Sequence, residues 1–326
     1  MTLPRRHFLR CAAGAAAVST LPRAATAQAY PARPVRMIVP FAPGGQNDAI
    51  GRLVAQKLSE HLGKQFVIEN VGGGGGSIGT GRAAQAARDG YTLLVMDTGL
   101  VINPLVYPKM PYDPFKDFDP VSLGATTTQV LTVTPSLPVH SVRELVTLLK
   151  ANPGKYSYGS AGLGTPAHMT AELFRLSLGL NLVHVPFTGA GPAIASTIAG
   201  HTPITFSSPA SSIAQAKDGK LRALAVATRK RLSALPDVPT MAEAGFPEVE
   251  GNFWVGVFAP AGTPADIVAL LHREISKSVA LPDMKERLDA LGFEPAATTP
   301  QEGAATLRSD SAKWAKVIQA AGIKAE

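Results

Sequence analysis

The sequence predicts an α/β protein of two lobes, each a mainly parallel sheet flanked by helices. Short, near-continuous apolar runs alternate with amphipathic segments along residues 28–326, and such runs are typical of parallel strands buried on both faces. Two longer β-type runs, Thr126–Thr134 and Phe253–Ala259, are placed to carry the chain between the lobes. We therefore predict one lobe from residues 28–129 with 253–326, a second from 130–252, and a ligand cleft between them.

Each element follows from a local pattern. Apolar residues from Ile50 to Leu62 recur at three- and four-residue spacings, which predicts a helix after the first strand. A Thr cap before Pro264 predicts a helix there, and Thr299 with Glu302 forms a predicted capping box for the last helix. The predicted strands are Val35–Pro40, Phe66–Glu69, Thr92–Met96, Leu131–Thr134, Tyr156–Gly159, Leu182–Pro186, Ile204–Ser207, Ala223–Ala227 and Phe253–Phe258.

Composition and charge exclude several classes of protein. The 326 residues are 45% hydrophobic and 17% charged, which is typical of a globular protein and excludes a disordered chain. A single cysteine excludes a disulfide scaffold. Removing residues 1–27, which carry four arginines and no acidic residue, lowers the formal net charge from +7 to +3. No stripe of basic and aromatic residues is present, so no nucleic-acid partner is expected.

The first 27 residues are predicted to be an export signal. A basic start is followed by a small-residue stretch from Cys11 to Thr20 and the cleavage pattern Ala25-Thr26-Ala27. Arg5-Arg6 before Phe8-Leu9-Arg10 resembles a twin-arginine signal, although Pro4 replaces the usual Ser or Thr, and a general secretory signal is the alternative. The expected location is the periplasm, after cleavage near Ala27 or Ala29.

The first candidate binding segment is a strand that runs into glycines and then into a helix. It reads Val39-Pro40-Phe41-Ala42-Pro43-Gly44-Gly45-Gln46-Asn47-Asp48. Gly44 and Gly45 allow close backbone approach, so the amides of the helix N-terminus can point at an anion. Asn47 or Asp48 is the predicted cap. A tight turn without a ligand remains the alternative.

The second candidate segment has the same design. It reads Tyr156-Ser157-Tyr158-Gly159-Ser160-Ala161-Gly162-Leu163-Gly164-Thr165-Pro166-Ala167-His168. Ser160, Thr165 and the amides around Gly162 and Gly164 are potential donors to a carboxylate. Neither segment contains Lys or Arg, which excludes a phosphate-binding Walker loop. His168 either contacts the ligand or is satisfied by a neighbouring residue of its helix.

A dinucleotide site is the alternative reading of a third segment. The residues from Gly74 to Gly79 fit G-x-G-x-x-G, they follow a predicted strand, and a helix is predicted from Arg82 to Ala87. Asp97 comes about 20 residues later. This pattern predicts an exported NAD(P)-dependent oxidoreductase. Against it, the match lies within five consecutive glycines and follows the second strand rather than the first.

No catalytic or metal-binding motif is recognisable. The sequence has no Gly-x-Ser-x-Gly elbow and no His-Glu-x-x-His, and its histidines are scattered without metal-ligand spacing. We therefore expect a protein that is not an enzyme and that has no cofactor and no metal.

The chain as a whole resembles the substrate-binding proteins of tripartite tricarboxylate transporters, the Bug family. The resemblance extends in order along residues 30–264. The segments that carry it are Tyr30–Pro34, Ile38–Gly45 with Asp48 and Arg52, Glu69-Asn70, Asp89–Leu94, Pro111–Asp113, Asp117-Phe118, Tyr158–Gly162 with His168, His184–Phe187 with Gly189, Leu221-Arg222, Leu235–Thr240, Trp254 and Ala259–Pro264.

The resemblance implies a type II-like, two-lobe periplasmic binding protein that captures a small mono-, di- or tricarboxylate or an amino acid. It implies that the turns Phe41–Asp48 and Ser160–His168 clamp one carboxylate from opposite lobes. The implied ligand-binding residues are Phe41, Ala42, Pro43, Gly44, Gly45, Asp48, Thr98, Ser160, Ala161, Gly162, Gly164, Thr165, His168, Phe187, Gly189 and Ala190. The implied partners are the membrane subunits of such a transporter or a sensor kinase, with the protein itself a monomer. Phe187-Thr188 stands where the family usually has Tyr-Lys, so one hydroxyl and one cation are missing.

The export prediction is tested at the N-terminus of the secreted protein. We expect a mature chain that begins near Gln28 or Tyr30, because the Ala-x-Ala patterns end there. N-terminal sequencing of periplasmic protein checks this, and a chain that begins at Met1 would contradict it. Export that survives Arg5→Lys with Arg6→Lys would assign the general secretory route.

Overall fold

Eleven strands form two sheets in the part of the chain that the computed structural model describes, residues 30–324. The strands are β1 Val35–Val39, β2 Phe66–Asn70, β3 Thr92–Asp97, β4 Phe118–Thr127, β5 Val130–Val133, β6 Ser157–Ser160, β7 Val183–Pro186, β8 Ile204–Ser207, β9 Arg222–Val226, β10 Phe253–Pro260 and β11 Phe293–Pro295. All of them lie in one compact unit, Arg33–Glu326.

Helices connect most of these strands. They are α1 Gln46–Leu62, α2 Ser77–Ala84, α3 Gly99–Val106, α4 Val142–Ala151, α5 Pro166–Ser177, α6 Ala190–Ile198, α7 Pro209–Lys217, α8 Ala265–Ala280, α9 Pro282–Ala290 and α10 Pro300–Ala321, with a short 3-10 turn at Gly74–Gly76. In α1 the side chains of Ile50, Val54 and Leu58 are buried, as the apolar spacing predicts.

The two sheets define two lobes. The first sheet has the order β11-β4-β10-β3-β1-β2, and the second has the order β7-β6-β8-β5-β9. In the first sheet β1 to β4 run in one direction, and in the second β6 to β9 do so. The predicted α/β class with mainly parallel sheets is therefore confirmed. The predicted lobe limits, 28–129 with 253–326 and 130–252, stay predictions.

The antiparallel strands β5 and β10 each follow a passage of the chain from one sheet to the other. β10 lies between β3 and β4, and β5 lies between β8 and β9. Each of these two strands begins at the crossing, beside the carboxyl ends of its neighbouring strands. It is therefore antiparallel to both neighbours. The carboxyl ends of the remaining central strands therefore meet at this crossing, where ligands bind in such sheets.

Four details differ from the sequence predictions. The predicted run Thr126–Thr134 is two strands, interrupted at Thr128 and Gln129. Strand β4 begins as early as Phe118, and β11 was not predicted, because both are stabilised by pairing with residues distant in sequence. The helix expected from Arg82 to Ala87 spans Ser77–Ala84.

Helix ends show one correction and one agreement. The helix predicted at Pro264 begins at Ala265, and the hydroxyl of Thr263 donates to the carbonyl of Pro260 instead of capping it. In contrast, Thr299 and Glu302 form the predicted capping box of α10.

Each lobe has its own apolar core. In the second lobe Tyr158, Phe174 and Phe206 are fully buried at its centre, and in the first lobe Met96, Leu94 and Phe258 are. These cores hold the carboxyl ends of the strands rigidly toward the crossing.

The predicted export signal, with Cys11 and the cleavage positions Ala27 and Ala29, lies outside the described residues. Within residues 30–324, none of the helices has the length and apolar character needed to cross a membrane.

Candidate functional site

A small cavity of about 30 Å³ lies at the crossing, between the two lobes. From the first lobe and the crossing, it is lined by Phe41, Gly45, Gln46, Asn47, Asp97 and Gln129. From the second lobe, it is lined by Ala161, Thr165, Pro166, Ala167, Ala190, Ser207 and Ser208. None of these lining residues is Lys, Arg or His.

The N-termini of four helices converge on this cavity. Helices α1, α5, α6 and α7 begin at Gln46, Pro166, Ala190 and Pro209, and each contributes its first residue or its N-cap to the lining. At the N-caps of α1, α6 and α7, no cap side chain accepts a hydrogen bond from the backbone N–H groups of the helix. Because the first N–H groups of a helix have no partner within it, and the helix dipole is positive there, this cavity is suited to an anion.

The first predicted segment reaches the cavity through its backbone. Gly44 takes φ +87, a conformation that favours glycine, and its N–H donates to the Asp48 carboxylate at 3.1 Å. The N-cap of α1 is Gly45 rather than the predicted Asn47 or Asp48, because the helix begins at Gln46. A Cβ added at Gly45 would lie 3.8 Å from the Cβ of Ala190, so α1 and α6 face each other closely across the cavity.

Asp48 supports this turn from behind instead of lining the cavity. Its carboxylate accepts hydrogen bonds from Gly44, Arg52 and Asn70. Burial raises the pKa of Asp48, but these donors and the charge of Arg52 outweigh it, so the pKa lies below its ordinary value. Arg52 is occupied by Asp48 and Asn70.

The second predicted segment is held by a buried network of hydrogen bonds. Ser160 Oγ lies 2.7 Å from His184 Nε2, and Thr165 Oγ1 donates to the carbonyl of Gly162 at 2.7 Å. His168 Nδ1 accepts from the N–H of Gly164, so it is satisfied by a neighbour of its own segment. The His168 ring stacks on His184 with centroids 4.3 Å apart.

Burial keeps both of these histidines neutral. It lowers the pKa of His184 to about 4, and it lowers the pKa of His168 well below the ordinary value, with a smaller contribution from His184. Neither ring therefore supplies a positive charge to the cleft near neutral pH.

The structure brings five of the predicted site residues to the cavity wall: Phe41, Gly45, Ala161, Thr165 and Ala190. The others lie around it. Thr98 accepts from the N–H of Trp254, and the N–H of Phe187 donates to Ser160. Ala42, Pro43, Gly44, Asp48, Ser160, Gly162, Gly164, His168 and Gly189 shape the two turns or the contact between the lobes without lining the cavity.

The polar floor of the cavity, which comprises Asp97, Gln129, Ser207 and the side chain of Asn47, was not predicted as part of the site. Asp97 ends β3 and Ser207 ends β8, both beside a crossing strand, and Gln129 lies in the crossing itself. Asp97 Oδ2 accepts from Gln46 Nε2 at 2.8 Å and from Asn47 Nδ2 at 2.9 Å, and Oδ1 accepts from the N–H of Gly99 at 2.8 Å. Burial raises the pKa of Asp97, although these bonds oppose the rise. The available signal was the position of polar residues at the carboxyl ends of buried strands.

The lobes meet along a line of contacts, here termed the seam, in which each contact involves at least one backbone group. It comprises Ala42 N–H to the Thr188 carbonyl at 3.4 Å, Ser211 Oγ to the Gly44 carbonyl at 2.8 Å, and the approach of Gly75 to Leu163. The glycine-rich segment thus belongs to the seam. The carbonyl of Gly75 accepts a hydrogen bond from Asn103, and Leu163 lies against Gly75 from the other lobe. Gly75 and Gly76 are therefore buried, whereas a pyrophosphate site would need their backbone to be accessible.

A family model described as the tripartite tricarboxylate transporter family receptor matches residues 50–323. The chain belongs to this family. The resemblance to Bug proteins is thereby confirmed, and the family is one of periplasmic solute-binding proteins.

Several members of this receptor family are similar along nearly their whole length. BugT of Bordetella pertussis (strain Tohama I) is 36% identical over 301 residues, which is 92% of this chain and 92% of BugT. Rpa4515 of Rhodopseudomonas palustris, solved with adipate, is 38% identical with a TM-score of 0.88, covering 90% of this chain and 99% of that one. MatC of the same organism, solved with bound malate, is 31% identical with a TM-score of 0.84, covering 89% and 100%.

From the contacts of the seam we predict that the substitution Gly75→Ala separates the two lobes. A Cβ at Gly75 would collide with the carbonyl oxygen of Leu163, which is backbone and cannot rotate away. The matched control is Gly63→Ala, since Gly63 has φ +66 against +61 for Gly75 but nothing within 4 Å of its added Cβ. Small-angle scattering should show a larger radius of gyration for Gly75→Ala only. Equal radii for the two variants would contradict the contact.

The neutral histidines predict loss of stability in mild acid. The unfolded chain takes up a proton at His184 near pH 6.5, whereas the folded chain does so only near pH 4, so the free energy of unfolding falls between these values as the pH is lowered. The loss is about 3 kcal/mol for this pKa difference. Denaturant unfolding at pH 7.5 and 4.5 measures it. His184→Gln should show a smaller pH dependence than the wild type, and an equal dependence would refute the assignment.

Proposed function

We propose that this chain is a periplasmic receptor that binds a small carboxylate between its lobes and presents it to the membrane subunits of a tripartite tricarboxylate-type transporter or to a sensor. The observation that supports this proposal most directly is the convergence of four helix N-termini on one cavity whose lining contains no Lys, Arg or His. Adipate and malate in the two similar structures point to the same class of ligand.

In the proposed complex, the backbone holds the carboxylate. Helix dipoles contribute about 0.3–1 kcal/mol each, whereas a hydrogen bond to a charged group contributes about 1.5–3 kcal/mol. The hydrogen bonds from N–H groups and hydroxyls at the N-termini of α1, α5, α6 and α7 therefore dominate. They require a close approach of the backbone, which Gly45 from the first lobe and Ala190 from the second permit.

Arg52 has a supporting role in this proposal. It neutralises Asp48, the acidic residue in the first turn of α1, so that this carboxylate does not oppose an anion at the same N-terminus. Asn70 links the same carboxylate to the Phe41 carbonyl and fixes the turn. Arg52 is thus part of the scaffold of the first lobe.

The test compares Gly45→Val with Arg52→Ala. Valine at position 45 keeps an allowed backbone, since φ is −89, but its branches fill the space between Gly45 and Ala190. Loss of one charge-assisted hydrogen bond weakens binding by about tenfold or more, and we expect this for Gly45→Val and a smaller effect for Arg52→Ala. Titration calorimetry with C3 to C6 mono- and dicarboxylates measures it.

Two outcomes would contradict the proposal. If Arg52→Ala abolished binding while Gly45→Val retained it, an ion pair would hold the carboxylate instead. If no carboxylate raised the melting temperature but NAD or NADP did, the dinucleotide alternative would replace it, since a ligand at one hundred times its Kd stabilises by about 2.7 kcal/mol.

A further inference from the structure

The floor of the cavity holds an acidic side chain in a site that is otherwise suited to anions. Asp97 is 2% exposed and lines the cavity. All three of its hydrogen-bond donors are neutral: the amides of Gln46 and Asn47 and the N–H of Gly99. Among residues 30–324 no Lys, Arg or His forms an ion pair with it. A buried carboxylate without a cation is costly, and burial accordingly raises the pKa of Asp97. A cation bound in the cavity would favour the ionised form of this side chain.

Two further polar groups at the floor lack partners. Asn47 Oδ1 and Ser207 Oγ have no hydrogen bond among the described residues, and their side chains are 2% and 1% exposed. Both residues line the cavity. The orientation of Asn47 is fixed by Asp97, because only its amide nitrogen can donate to a carboxylate. Its oxygen is therefore an acceptor that needs a donor from outside the described chain.

The polarity of the floor is thus opposite to that of the walls. Helix N-termini line the walls and favour a negative group, whereas Asp97 and the acceptor of Asn47 favour a donor with positive charge. A ligand that carried only carboxylate groups would place a like charge beside the carboxylate of Asp97, which is unfavourable. A ligand with a carboxylate and a positively charged group complements both the walls and the floor of the cavity.

We propose that the receptor selects a carboxylate that bears an ammonium group, a short amino acid, and that Asp97 at the cavity floor recognises the ammonium. This inference rests on the proposed function and specifies its ligand class. A competing explanation gives Asp97 only a structural role, because it accepts a hydrogen bond from the N–H of Gly99, the first residue of α3. The two explanations differ in ligand preference, which a capping role would not change.

The experiment uses matched ligands that differ in one substituent. The full mature protein is titrated with L-alanine, L-lactate and propionate, and with L-aspartate, L-malate and succinate, so that an ammonium, a hydroxyl and a hydrogen are compared at the same carbon. We expect the amino member of at least one series to bind about tenfold or more tightly than both others, as for one charge-assisted bond.

Asp97→Asn then assigns the preference to its residue. The change keeps the side-chain shape and removes the charge, so the preference for the amino member should fall to near unity while propionate or succinate binds equally well or better. Asp310→Asn is the matched control, since Asp310 accepts a hydrogen bond from Trp254 Nε1 and does not line the cavity. It should leave the preference unchanged.

Each result decides between the explanations. Tighter binding of the hydroxy or unsubstituted members by the wild type would overturn this inference, even if Asp97→Asn did not fold. A preference that survives Asp97→Asn would also overturn it and leave Asp97 a structural residue. Carboxylate binding without any amino preference refutes only this inference. Failure of all six ligands and of adipate to bind would overturn the proposed function, and this inference with it.

Discussion

The cleft depends on helix N-termini that meet at one point without a cationic side chain. An N–H group is short and fixed to the backbone, so it reaches an anion only if the backbone itself comes close. Gly45 and Ala190 provide this proximity, because neither carries a side chain larger than a methyl group. The proposed recognition by backbone would consequently be sensitive to the distance between the lobes. A Lys or Arg could follow a displaced ligand by changing rotamer, whereas four helix ends cannot.

The same constraint explains the charges placed behind the first turn. Asp48 lies in the first turn of α1, where a carboxylate is stabilised by the helix dipole and would compete with a bound anion. Its pairing with Arg52 cancels that competition, and its bond from Gly44 uses the carboxylate to hold the turn in the left-handed conformation. One acidic side chain therefore orders the loop without contributing net charge to the cleft.

The parts of the site that the sequence predicted are local in character. Gly44, Gly45 and Gly162 indicate close backbone approach within a single strand–turn–helix segment, and the spacing from Ile50 to Leu58 indicates the buried face of α1. Asp97, Gln129 and Ser207 come together only because β10 inserts between β3 and β4, and β5 between β8 and β9, and each inserted strand is distant in sequence from its neighbours in the sheet. No local pattern contains that information. For the same reason the sequence alone indicates Asp97 only as the acidic residue of a dinucleotide site, because its spacing from the glycines is the one relation that the sequence displays.

The glycine-rich segment shows how a sequence pattern and its physical role can differ. In the structure Gly75 lies against the carbonyl of Leu163, and a Cβ added at Gly162 would lie 2.9 Å from the Cα of Gly75. The run of glycines therefore permits contact between two backbones rather than contact with a phosphate. Because backbone cannot repack as a side chain does, the seam fixes the spacing of the lobes. The volume of the cavity is then set by its wall residues, of which Ala161, Ala167 and Ala190 are among the smallest. About 30 Å³ accommodates no more than a few water molecules, so the binding of any larger molecule requires the lobes to separate along the seam.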